Sequence, residues 1–167
     1  MKLAAVDLSG SGKTLRAIWE RLAPIPGGKR VFDALLGMLA PYTGSVSPHF
    51  EEIRPGYARV AMADARPIRN HVGSTHAIAL ANLGEMSTGL GLMFGLPDDA
   101  RAIITKLEIE YLKKARGRLV AEGTCEVPAT SERRDVDATS TIRDERGNVV
   151  ATVRTTWRVG PKPAGDR

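Results

Sequence analysis

Cysteine is almost missing from this sequence: Cys125 stands alone among 167 residues, which excludes an intrachain disulfide and a cysteine-built metal cluster. A reducing cytoplasm is the expected setting. Aromatic residues are scarce too, at 5%, so the core is expected to be aliphatic with close backbone approach, which the 17 glycines suit. Blocks of one charge are also lacking. The net charge is +5 and the pI about 9.7, yet acids and bases are interspersed, so charge alone identifies no partner. No apolar run reads as long enough to span a bilayer, and the stretch Met1 to Ser9 is too short for a signal-peptide core. The expectation is a soluble, cytoplasmic protein with no membrane partner, and the length suits one domain.

What is present divides near residue 43. Residues 1–42 read as an arm with a helical extension. Leu15, Ile18, Trp19 and Leu22 recur at helical spacing until Pro24, Pro26, Gly27 and Gly28. Val31, Leu35, Met38 and Leu39 then share one side of a second helix that Pro41 stops. Gly10-Ser11-Gly12-Lys13-Thr14 looks like the end of a phosphate-binding loop, but that motif needs a glycine where Asp7 stands and a buried parallel strand before it. It is read as an arm leading into a helix.

Residues 43–160 have the pattern of an α+β domain, and 161–167 read as a flexible tail. Two short strands, Val46 to Ile53 and Tyr57 to Ala63, flank the turn Arg54-Pro55-Gly56. A helical segment over 70–92 is apolar on nearly every side, through Ile78, Leu80, Leu83, Met86, Leu90 and Leu92, and such a helix belongs in a core. Ser74 or Thr75 suits its N-cap. Four alternating strands follow. In the first, Ile103, Thr105, Leu107, Ile109 and Tyr111 oppose Lys106, Glu108 and Glu110; the others carry Leu119 to Val127, Val136 to Arg143 and Val149 to Val159, the last two joined at Arg146-Gly147-Asn148. An antiparallel sheet wrapped around one apolar helix satisfies all of these elements.

Chemistry concentrates at the start of that helix. Asn70, Gly73 and His76 form Asn-x-x-Gly-x-x-His, with the acid Glu85 nine residues after the histidine. This pattern, with the order of elements over roughly 43–159, resembles hotdog-fold acyl-CoA thioesterases of the phenylacetate-degradation and 4-hydroxybenzoyl-CoA types. Arg69-Asn70-His71, His76 to Leu80, Asn82-Leu83-Gly84-Glu85 and Glu110 to Ala115 are similar to an uncharacterised bacterial branch of that superfamily.

The resemblance implies that Glu85 is the general base or nucleophile, that Asn70 and His76 orient water or thioester, and that the backbone N–H of Ala77 polarises the thioester carbonyl. A carboxylate near the carbonyl carbon and donors aimed at the developing oxyanion are what acyl transfer needs, and a helix N-terminus supplies such donors. His71, Gly73, Ile78 and Thr88 would border the substrate. Lys113, Lys114 and Arg116, clustered with Arg118 about Gly117, would receive the phosphates of coenzyme A, which enters as part of the substrate. No metal or other cofactor is implied, and the cluster lacks the aromatics that nucleic-acid stacking requires. Two positions depart from the pattern: Ala77-Ile78 replaces Gly-Gly, and Gly89 stands where relatives often carry serine or threonine.

Each residue also has a structural alternative. Glu85 could pair with an arginine at an interface, His76 could cap the helix, Asn70 could hold a turn, and His71 could be an ordinary loop histidine.

Ala77 and Glu85 are eight residues apart, about 12 Å along a straight helix, so one helix cannot present both to one carbonyl. A homodimer, or a tetramer built from dimers, with two antiparallel helices about a two-fold axis is therefore expected. The substrate would be an acyl-CoA or acyl-carrier thioester. The alternatives are a non-catalytic acyl-binding module of the same fold and an enoyl-thioester hydratase or dehydratase.

Overall fold

The computed structural model describes residues 12–163. Three helices precede the sheet: α1 (Gly12–Leu22), α2 (Gly28–Leu39) and the single turn α3 (Pro41–Gly44). β1 (Pro48–Arg54) and β2 (Tyr57–Met62) follow, then the long helix α4 (Ala77–Gly95) and strands β3 (Ala100–Tyr111), β4 (Leu119–Cys125), β5 (Arg134–Arg143) and β6 (Val149–Pro161). The strands form one sheet in the order β1-β2-β4-β5-β6-β3, with every neighbouring pair antiparallel.

The sheet wraps α4, whose Leu83, Leu92 and Phe94 are 0–1% exposed. Burying each such side chain contributes about 1.5–3 kcal/mol. Contact is backbone to backbone where β4 crosses the helix: a Cβ on Gly123 would lie 2.4 Å from the Ser87 carbonyl group, so only glycine lets strand and helix approach this closely. By length and apolar composition α4 could cross a membrane, which corrects the reading that no run is long enough. Yet 72% of its apolar window is buried inside this protein, as a core helix requires.

The helical extension belongs to the same core. Trp19 of α1 meets Phe32 of α2 edge-on at 5.0 Å, and Phe32 meets Phe50 of β1 at 5.5 Å. Each such pair adds about 0.5–1.5 kcal/mol beyond area burial. This relay corrects the expected face of α2: Phe32 and Leu36 point inward, while Val31 and Met38 are exposed. Asp33 ties α2 to β1, accepting from the Phe50 N–H at 3.0 Å and facing His49 Nδ1 at 2.6 Å. α2 ends before Pro41, as expected, and Pro41 then begins α3, because proline fits a first helical position.

Gly10 and Ser11 of the phosphate-loop-like run lie outside the described residues. The rest of it is the first turn of α1, docked where α4 ends. Gly12 packs directly on the Met93 carbonyl, Lys13 pairs with Asp98 at 2.8 Å and Arg16 donates to the Leu96 carbonyl at 3.2 Å. Cations are favourable at the negative end of a helix dipole.

β3 departs from simple alternation. A bulge between Ile104 and Lys106 reverses the faces, so Ala102 and Ile104 pack against the core before it and Ile109 after it. Ile103, expected with the apolar set, is 67% exposed. One extra residue in a strand has this effect because side chains alternate with a period of two.

Candidate active site

The approach to α4 is built by a tight loop. Asn70 Oδ1 accepts from the N–H groups of Val72 and Ser74, both at 3.1 Å, and Gly73 takes φ +70, which glycine adopts freely. Thr75 N–H donates to the Ala115 carbonyl and His76 N–H to that of Ile68, each at 2.8 Å. Asn70 thus holds the turn that aims the helix. Ser74 and Thr75 are buried, and neither is the N-cap. That position is His76, whose Nδ1 accepts from Ile78 N–H at 3.1 Å. Ala77 is then the first helical residue, and its N–H has no acceptor within the helix.

Ala77 opens onto a cavity of about 380 Å³ shared with Asn70, Thr75, Tyr111, Lys113 and Lys114. Tyr111 donates its hydroxyl to the Ala77 carbonyl at 3.1 Å, clamping the first turn of the helix to β3. Tyr111 has no role in the reading of the sequence; its place in the Glu110 to Ala115 stretch that carries the resemblance is the available signal. Of the basic cluster, Lys113 and Lys114 border this cavity. Arg116 reaches the Val72 carbonyl at 3.5 Å, and Arg118 turns away to Glu51. His71 is exposed on the turn and does not line the cavity.

Glu85 lies two turns further along α4 and faces different space. With Ile78, Ala81 and Asn82 it lines a cleft of about 450 Å³ closed by Ile104, Lys106 and Leu107 of β3. Ile78, expected in the core, is 52% exposed on that cleft wall. The Glu85 carboxyl has no ion-pair or hydrogen-bond partner among the described residues, and burial alone holds its pKa above the ordinary carboxylate value. A carboxylate in such a place can serve as a base.

Thr88 is 1% exposed and donates to the Glu85 carbonyl at 2.9 Å, so it supports the helix and is shut off from substrate within one chain. At Gly89 a Cβ would meet the Trp157 ring at 2.9 Å; the indole occupies the place that a serine or threonine would need. Burial pushes the Cys125 thiol up to about 11, which leaves it protonated and inert near neutrality. Among the described residues no group of three or more His, Cys, Asp or Glu could hold a metal ion.

A six-stranded antiparallel sheet wrapped around a buried helix, with a polar cluster at the helix start and an acid within it, defines a hotdog-fold protein. Within that class the chain belongs to the family described as a domain of unknown function (DUF4442), which it matches over residues 28–159. A solved structure described as genomics APC5556 is 28% identical, with a TM-score of 0.78 over 89% of this chain and 99% of its own. Protein PA5026 from Pseudomonas aeruginosa, of unknown function and described as "Probable Thioesterase", is 20% identical, with a TM-score of 0.71 over 83% of this chain and 97% of its own. A mutant of thioesterase enzyme SAV0944 from Staphylococcus aureus is 15% identical, with a TM-score of 0.65 over 72% of this chain and 99% of its own. No curated protein matches the chain.

Proposed function

We propose that this protein hydrolyses acyl thioesters of coenzyme A or of an acyl carrier, with Glu85 as general base or nucleophile and the Ala77 N–H as oxyanion donor. The observation that carries the reading is Glu85 itself, an unpaired carboxylate held in an apolar helix and facing a cleft. Leaving a charge without a partner in such surroundings is costly unless chemistry uses it. The thioesterase descriptions of the fold neighbours PA5026 and SAV0944 point the same way.

Hydrolysis balances simply. Acting as base, Glu85 takes a proton from water as the hydroxide adds to the thioester carbon; the carbonyl oxygen gathers charge at the Ala77 N–H; the C–S bond then breaks, and the thiolate leaves with that proton. Ala77 and Glu85 face separate cavities of one unbroken helix, so each working site joins Ala77 of one subunit to Glu85 of another. The β3 edge is the surface for this pairing: it ends the sheet and exposes Ile103 and Leu107, and an unpaired edge accepts a second strand. Lys113 and Lys114 beside Ala77 would meet the phosphates of coenzyme A.

A panel of acyl-CoA substrates, followed by thiol release with Glu85→Ala as control, tests the reading. Turnover that falls about 10²- to 10⁴-fold in the variant is expected. Saturable binding of every acyl-CoA without turnover would assign the chain instead to a non-catalytic acyl-binding module, and hydration of an enoyl-CoA would assign it to the hydratases.

A further inference from the structure

Glu85 borders a second cavity besides the cleft at β3. This chamber, of about 260 Å³, runs between α4 and the N-terminal helices; Leu15, Leu36, Leu39, Leu90 and Met93 are among its lining residues. Glu85 and Thr43 line both spaces, so the chamber leads away from the carboxyl group. Glu85, Gly89 and Met93 follow one another at intervals of four residues, so they share one face of α4 and span about 12 Å along it. Gly89 lines the middle of that floor with backbone alone, because the Trp157 ring fills the place of a side chain there.

We propose that this chamber receives the aliphatic acyl chain of the substrate, making the helical extension the element that selects for chain. The proposal rests on the thioesterase reading for the position of the carbonyl. A thioester carbon beside Glu85 sends its acyl group over Gly89 toward Met93, beneath Leu15 and Leu36. Apart from Thr43 and Glu85 the wall is leucine, alanine, glycine and methionine. Unbranched, adaptable methionine suits a flexible alkyl chain. Among the described residues that line it, none carries an aromatic ring to stack on an aryl group. The roof is rigid because Trp19, Phe32 and Phe50 fasten α1 and α2 to the sheet.

Non-hydrolysable alkyl thioethers of coenzyme A test this on the wild-type protein by calorimetry. Each further buried methylene is worth about fourfold in affinity, so burying only half of the additional methylenes of octyl-CoA over ethyl-CoA gives about fiftyfold tighter binding. Benzyl-CoA should gain far less than octyl-CoA. Leu39→Trp and Met93→Trp, on different helices, should each cut the octyl-to-ethyl preference at least about tenfold by filling the chamber. Octyl-CoA bound no tighter than ethyl-CoA, or a preference unchanged in both variants, would overturn the proposal. Hydrolysis is scored separately. Loss of alkyl preference with octanoyl-CoA turnover intact rejects the chamber alone, whereas alkyl preference without turnover of any acyl-CoA supports the chamber and rejects the thioesterase.

Discussion

Replacing Gly89 by alanine should reverse its effect on stability according to what stands at position 157. Glycine inside a helix costs about 1 kcal/mol relative to alanine, so propensity favours the change. Space opposes it: the new Cβ would sit 2.9 Å from Cη2 and from Cζ2 of Trp157. That ring cannot swing aside cheaply, since it is 3% exposed and its Nε1 donates to Thr155 Oγ1 at 2.9 Å. Overpacking of this kind costs about 1–3 kcal/mol, so Gly89→Ala should be net destabilising by up to about 2 kcal/mol. Trp157→Phe removes both colliding atoms. In that background Gly89→Ala should stabilise by up to about 1 kcal/mol, although Trp157→Phe is itself destabilising. Urea unfolding of the four proteins gives the coupling energy directly. A Gly89→Ala variant that is more stable than wild type, or effects that simply add, would refute the reasoning.

Glu85→Gln should stabilise the protein in a pH-dependent way. The folded pKa of Glu85 is raised by burial, so as pH rises the unfolded chain ionises first and stability is lost until the folded pKa is passed; glutamine escapes this loss. Urea midpoints of wild type and variant should coincide near pH 4 and separate by pH 8, by about 1.4 kcal/mol for each unit of the shift; the opposite trend would contradict burial as the cause. For the same reason kcat/KM should rise with pH around a midpoint above the ordinary carboxylate range. His76→Ala removes the N-cap acceptor and should cost about 1 kcal/mol, whereas His76→Asn should restore most of it; comparing kcat across the pair shows whether His76 does more than cap. Asp33→Ala leaves the Phe50 N–H unpaired and should cost about 1–3 kcal/mol, measured by urea unfolding.

The parts of this fold legible in the sequence were those with a clean period. The four late strands and the buried helix stand out because their apolar residues repeat every two residues or surround the whole helix. Ile103 was misplaced because a bulge leaves no mark in an alternating pattern. The buried side of α2 was missed for a different reason: leucine and methionine spacing outweighed Phe32, whose aromatic partners Trp19 and Phe50 lie on other elements. At the candidate site the residue types were readable while their tasks were not. Asn70 is spent on its own loop, Thr88 is sealed beneath the helix surface, and Arg118 serves Glu51. Only placement in space separates Thr88 and Arg118 from Glu85, Ala77, Lys113 and Lys114, which line cavities, as Asn70 does beside the turn it holds.

Subunit mixing tests most directly whether one subunit supplies Ala77 and another Glu85. Ala77→Pro deletes the donor N–H at a position where proline is tolerated, and His76, with φ −65 and ψ 141, already has the conformation a residue before proline requires. Glu85→Gln removes the base. After exchange between these two inactive homodimers, about half the molecules are heterodimers in which one of two sites carries both native groups, so thioester hydrolysis should return to about a quarter of the wild-type rate. Verified heterodimers that stay inactive, or a wild-type monomer that hydrolyses thioesters, would contradict the shared site.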